Sequence, residues 1–190
     1  MALVPDIVGS YRRPRPVFSG LLARGADEKT GLVFLLLAMA MGFVSQLPGV
    51  SRRANLPDPE FEAAIAAERN DVRPIEGVEV PAGMVDAKFD ALLSAEIMVW
   101  FLILPLVFYG VAMIGHLIAK LLGGKPDTTA SRLALFWALV VAVPLKLFHG
   151  LVFGMIGPGP ALSVVGFMWF AVLMWNWTMN LRVAGWEGPR

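Results

Sequence analysis

Cysteine is absent from this chain of 190 residues, and histidine occurs only twice. The first absence excludes disulfides, thiolate metal sites and thiol nucleophiles. The two histidines, His116 and His149, have no neighbouring Cys, Asp or Glu and make a poor metal set. Charge is scarce as well: 16% of residues are charged, against roughly 25% in soluble domains. No carboxylate pair shares a face of a span, and no serine has a histidine close by in sequence. Gly123-Gly-Lys125 is followed by Pro126 where a phosphate loop needs Ser or Thr, and Ala119 replaces its leading glycine. No enzyme, cofactor, metal or nucleic-acid partner is expected.

What is present is apolar. Hydrophobic residues form 57% of the chain, above the usual 45–50%. They gather into Gly31–Val50, Ile97–Ala119, Leu133–Ile156 and Ala161–Leu181, runs of 20, 23, 24 and 21 residues. A helix rises about 1.5 Å per residue, so roughly 20 residues cross a hydrocarbon layer about 30 Å thick. Backbone polar groups in lipid must bond within their own segment, which makes each run a helix. The expected fold is all-α, a polytopic transmembrane four-helix bundle whose lipid-facing surface meets the bilayer.

About thirty mostly polar residues precede the first span, so a cleavable signal is not expected there. They carry one apolar cluster at Ile7, Val8 and Tyr11 and another at Val17, Phe18, Leu21 and Leu22. Arg12, Arg13, Arg15 and Arg24 lie among them, and Pro14 and Pro16 are expected to break the segment in two. Such a basic amphipathic piece is expected in the headgroup layer, its arginines against anionic lipid.

Orientation follows from basic residues in the loops. Residues 1–30 hold five Arg/Lys against three Asp/Glu, whereas residues 51–90 hold nine acidic groups and five basic ones. Lys120, Lys125 and Arg132 dominate the loop 120–132, and Arg182 and Arg190 the tail 182–190. Both termini and that loop are therefore expected in the cytoplasm. The acidic loop 51–96 and the turn Gly157–Pro160 are expected outside, with Arg52 and Arg53 arguing mildly the other way. Trp100 is expected near the outer interface and Trp137, Trp175 and Trp177 near the inner one, with Trp169 deeper. In the outer loop, Phe61, Ala64, Ile65 and Ala67 predict a short amphipathic helix ending near Arg69. An extended stretch with Val78 and Val80 follows to Gly83, then a lead-in helix from about Val85.

Polar groups within the spans each need a reason, because lipid penalises them. Lys146 lies well inside the third span with His149 on the same face. Glu96 stands at the mouth of the second span, His116 and Tyr109 further along it, and Asn176 and Asn180 share one face of the fourth. Two readings compete. Lys146, His149 and Glu96 line a proton or anion relay, or Lys146 extends to an interface while the amides bond between helices. Pro105 and Pro144 are expected to bend their helices. Gly150 and Gly154, and Ala38 and Gly42, have the small-residue spacing of close helix packing, within the chain or in a homo-oligomer.

Asp6-Ile-Val, Tyr11-Arg-Arg-Pro14, Leu133-Ala-Leu-Phe-Trp-Ala-Leu139, Pro144-Leu145 and Gly157-Pro-Gly-Pro-Ala-Leu162 together resemble the Ypt-interacting-protein (Yip) family in a bacterial form. The resemblance covers most of the chain outside the acidic loop, and its motifs are structural. It implies a multi-span helical protein without catalytic residues, set in a bacterial inner membrane. Eukaryotic members bind small prenylated GTPases, a role a bacterial setting does not supply. The chain departs from the common five spans by having four, and by its long acidic loop. The expected role is association: a scaffold, assembly factor or accessory subunit working with other membrane proteins. A small transporter using Lys146, and a lipid-shaping protein using the N-terminal wedge, are the alternatives.

Overall fold

A computed structural model describes residues 3–68 and 82–187. Every regular element among them is helical, and four helices are long and apolar enough to cross a membrane. The protein is an all-α, multi-pass membrane protein. Two short helices, α1 (Leu3–Arg12) and α2 (Pro14–Ala23), precede the first long helix, α3 (Glu28–Ala54). The acidic loop contributes α4 (Pro59–Glu68) and α5 (Ala82–Met98). The latter continues through a π turn, Val99–Ile103, into α6 (Leu104–Leu121), so one unbroken helix of 39 residues runs from Gly83 to Leu121. Then come α7 (Thr128–Met155) and α8 (Pro160–Arg182), the last prolonged by a π segment to Glu187. The expected strand-like stretch around Val78 and Val80 lies outside the described residues, as does Arg190. Gly83, expected in extended chain, is helical.

Local chemistry sets the helix ends. Asp27 caps α3 by accepting from the Thr30 N–H at 2.9 Å, and Asp127 caps α7 by accepting from Thr129 N–H at 3.0 Å. The Asp27 bonds to Thr30 hold that carboxyl below its ordinary value. Gly123 closes α6 at φ 83°, and Gly157 turns the chain out of α7 at φ 93°, conformations an L side chain resists. Pro160 then opens α8, which folds back antiparallel to α7.

The prolines act in three different ways. Pro14 starts α2 and so separates it from α1, whereas Pro16 sits harmlessly in the first turn of α2, where no intrahelical donor is missed. Pro105 denies the Phe101 carbonyl its donor, and just before it the ladder widens: the Leu104 N–H donates to the Val99 carbonyl, five residues back. Pro144 and Pro48 lie inside α7 and α3.

The tightest pair is α3 and α7, which run parallel. A Cβ on Gly150 would meet the Ser45 carbonyl, and one on Gly154 the ring of Pro48, so these glycines let the two backbones touch. From Leu133 to Ala142, α7 is buried on every face, with the most exposed residue, Leu139, at 6%. It is the central helix; α3, α6 and α8 surround it, and α1 and α2 close the remaining side. Leu102, Leu106, Phe167 and Met155 point outward, as apolar residues do where the surrounding solvent is hydrocarbon.

The N-terminal helices are therefore part of the bundle, more than a surface anchor. Phe18 and Leu21 are fully buried, while Val8 of the first apolar cluster stays exposed. The Trp137 indole donates to Ser10 Oγ at 3.1 Å and packs on Phe34 at 5.0 Å, so Trp137 is a core residue and not an interfacial one. Tyr11 donates its hydroxyl to the Val141 carbonyl at 2.8 Å. That carbonyl lies next to Val140, whose own partner would have been the absent N–H of Pro144. A residue on α1 thus serves the ladder where the proline disturbs it. Burial pushes the Tyr11 phenol up from its usual value, which keeps the donor protonated.

Candidate functional site

The intramembrane polar residues fall into two groups at opposite ends of α7. At the end shared by both described termini, His116 on α6 is buried and its Nδ1 lies 3.0 Å from Ser131 Oγ. That hydroxyl also reaches the Asp127 carbonyl, as a donor at 3.0 Å. Asn180 donates to the Ala134 carbonyl on α7 at 3.1 Å, an interhelical bond. Asn176 instead donates to Val172 within its own helix. Both amide oxygens and the Trp177 N–H are buried without a partner among the described residues. Trp177 packs against Gly115, where α6 and α8 come close.

Lys146 and Glu96 belong to the other end, roughly 22 Å along α7 from Ser131 at about 1.5 Å per residue. Glu96 takes a hydrogen bond from the Trp100 indole at 3.1 Å and an ion pair from Arg53 at 2.9 Å. Lys146 Nζ lies 5.7 Å from the centre of the Trp100 ring and 5.4 Å from that of Trp169. Among the described residues it makes no contact ion pair and no hydrogen bond, and the Glu96 carboxylate acts on it through space. His149 sits a turn beyond it, near Gly166 of α8, and makes no hydrogen bond among the described residues. A lysine in a span costs about 2.5–3.5 kcal/mol by insertion scales, and a cation over an aromatic face returns about 0.5–2 kcal/mol. Two indoles bring that balance close to even.

A cavity of about 230 Å³ opens beside this lysine. Its walls come from four helices: Met39 and Gly42 on α3, Phe108 on α6, Leu139 and Val143 on α7, and Trp169 on α8, with Trp100 from the π turn. The Trp100 ring occupies the space a side chain at Gly42 would fill. Trp100 is thus fixed from two sides, by Gly42 and by Glu96. Lys146, Glu96 and the two indoles come together; His116, Asn176 and Asn180 do not join them. The expected relay residues Lys146, His149 and Glu96 all lie at this one end of α7, and the packed belt from Leu133 to Ala142 lies between them and His116.

Charged groups at the two ends are also organised. Arg24 pairs with Asp6 at 3.0 Å and Arg15 with Glu187 at 3.4 Å, which leaves Arg12 and Arg13 exposed and without an ion pair among the described residues. These two, with Pro14, Trp175 and Met179, line a surface cleft. Arg52 donates to the Gly154 and Met155 carbonyls at 3.4 and 3.5 Å, at the negative end of the α7 dipole. Arg52 and Arg53 are therefore both committed within the acidic end, which explains their presence beside it.

The acidic hairpin of α4 and α5 holds a residue that sequence reasoning missed. Lys88 is 1% exposed and donates to the Leu56 carbonyl at 2.5 Å and to Glu62 Oε1 at 2.7 Å. Its hydrogen bond is the largest influence holding the Glu62 carboxyl below its ordinary value. Around this latch Ile65, Met84 and Ala87 form a small core, supported by Phe61 and Ala66. Ala64 and Ala67, expected on the inner face of α4, point to solvent. Only the position of Glu62 four residues after Asp58 hinted at local order, and nothing in the spacing pointed to Lys88. No family model, curated protein or solved structure matches this chain.

Proposed function

We propose that this protein is a non-enzymatic integral membrane scaffold, assembly factor or accessory subunit. The observation that carries the reading is the charged surface held in fixed shape at each end of the bundle. On the outer hairpin, Glu60, Asp86 and Asp90 are exposed on helices joined by the Lys88 latch. At the other end, Arg12 and Arg13 stand at the junction of α1 and α2, helices sealed against α7. A preformed surface loses less entropy on docking than a slack loop does. The acidic face suits a basic region of a partner membrane protein.

The resemblance to the Yip family agrees with association as the role, and membership of that family is part of this proposal. So is a bacterial inner membrane location with both termini cytoplasmic, which the excess of arginine and lysine at that end supports. Lys146, His149 and Glu96, on which the transporter alternative rests, all lie at one end of the bundle, and the fully packed stretch of α7 from Leu133 to Ala142 weighs against a path through it.

The test is native-gel separation of gently solubilised source membranes, with mass spectrometry of the band holding this chain. The expected result is co-migration in a larger complex that is lost when Asp86 and Asp90 are both changed to lysine, with insertion intact. Migration as a single chain before and after the change rejects the proposal.

A further inference from the structure

The cavity beside Lys146 serves no part of the scaffold reading, and its chemistry is specific. All of its lining is apolar or aromatic except the one ammonium. That ammonium carries three donors and lies over the faces of Trp100 and Trp169 without a hydrogen bond among the described residues. The neighbouring carboxylate, Glu96, is already engaged by Arg53 and by the Trp100 N–H. A cation beside an apolar cavity, with its nearby acid committed elsewhere, is complementary to an anion that brings its own apolar body.

The observations also choose among anions. One cation matches one negative charge; a phosphate group with more oxygens would find no second charged donor in the cavity. The volume, about 230 Å³, lies below the usual range of about 300–1,000 Å³ for drug-sized ligands, so it suits part of one chain and not two. Met39, Phe108, Leu139 and Val143 extend away from Lys146 toward the closed half of the bundle and offer a wall for that chain. The Trp169 N–H makes no hydrogen bond among the described residues.

We infer that this cavity binds a single-chain amphiphile with a carboxylate head, of the fatty-acid class, its carboxylate on Lys146 Nζ and its tail among Met39, Phe108, Leu139 and Val143. Gly42, Glu96 and Arg53 act as positioning residues, because together they hold the Trp100 ring that forms one side of the cage.

The intact protein, reconstituted in zwitterionic vesicles, is titrated with dibromostearic acid at a pH where the acid is ionised, and quenching of tryptophan fluorescence is followed. Dibromostearyl alcohol and brominated phosphatidylglycerol are titrated in parallel. The expected result is saturable quenching by the acid above the linear background set by the alcohol. Lys146→Met should raise the half-saturating acid concentration roughly tenfold or more, the loss of about one charge-assisted contact. Lys146→Arg should stay within a few-fold of the parent. Equal curves for acid and alcohol, or an unchanged curve in Lys146→Met, overturn the inference. Stronger saturable quenching by brominated phosphatidylglycerol than by the acid overturns the choice of a single-chain carboxylate. Should Lys146→Met fail to fold, the acid and alcohol curves of the parent protein decide alone.

Discussion

Changing Lys88 to methionine keeps most of the side-chain volume and removes only the charged latch. In the parent, the ammonium is 1% exposed and satisfies both the Leu56 carbonyl and Glu62. Removing one member of a buried pair typically costs about 3–5 kcal/mol, because its partner stays desolvated. Here the Glu62 side chain keeps 13% of its exposure and can regain water by a small shift of α4. The expected cost is therefore lower, about 2–4 kcal/mol. The apolar contacts holding α4 are few, with Ile65, Met84 and Ala87 as its buried core. The loss should then appear as local detachment of α4 and not as unfolding of the bundle. At about 1.4 kcal/mol per tenfold, amide protection within α4 should fall by a factor of roughly 30 to 700. Hydrogen exchange read by mass spectrometry on vesicle-embedded protein measures this directly, with peptides from α7 as the internal control. Unchanged protection in α4 would refute the latch. Equal loss in α4 and α7 would refute its local character.

Acid should release the same latch. The Glu62 carboxyl is held below its ordinary value by Lys88, so its contribution is complete above the unfolded-state value near 4.5 and is lost as pH falls through the lower folded value. Exchange in α4 should accelerate below about pH 4 in the parent and show no such step in Glu62→Gln. Gly150→Val should force α3 and α7 apart at Ser45 and destabilise the bundle by about 1–3 kcal/mol or more, whereas Gly110→Ala, with open space around it, should be neutral; thermal unfolding in detergent compares the two. Tyr11→Phe removes the donor to the Val141 carbonyl and should cost about 0.5–1.5 kcal/mol, seen as faster exchange in α1. Asp127→Ala should cost about 0.5–2 kcal/mol through loss of the α7 cap, measurable in the same thermal assay.

The four spans were legible because hydropathy reports lipid against water, and each run exceeds the thickness it must cross. Which apolar residues face protein was not, because in a bilayer both environments are apolar. Trp137 and Trp175 show the difficulty. Both lie toward the same end of the bundle, yet one is 1% exposed and the other 53%. The difference is α1, which covers Trp137 and supplies Ser10 as its acceptor. Amphipathic spacing in residues 3–23 marked the buried side of α2 correctly at Phe18 and Leu21 without saying that the bundle itself would receive it. Lys88 was invisible for the opposite reason: in a loop rich in both charges it resembled one more solvated lysine, and only the fold of α4 onto α5 buries it. Lys146 was noticed, but its indole partners come from two other helices, and no spacing within α7 encodes them.

The central helix ties these features together. From Leu133 to Ala142, α7 is surrounded on all sides, and α1 and α2 supply the closure that three long helices alone leave incomplete. Beyond Pro144 that closure ends. Here α7 presents Lys146 to a cavity, while Gly150 and Gly154 keep it clamped against α3. A lysine placed ten residues earlier would meet only fully packed neighbours and no indole cage. At its actual position the ammonium has two aromatic faces and open volume beside it. The bundle is therefore asymmetric in packing and in the placement of its polar groups. Its closed half gives rigidity to the basic end, and its other half carries both the latched acidic hairpin and the cage.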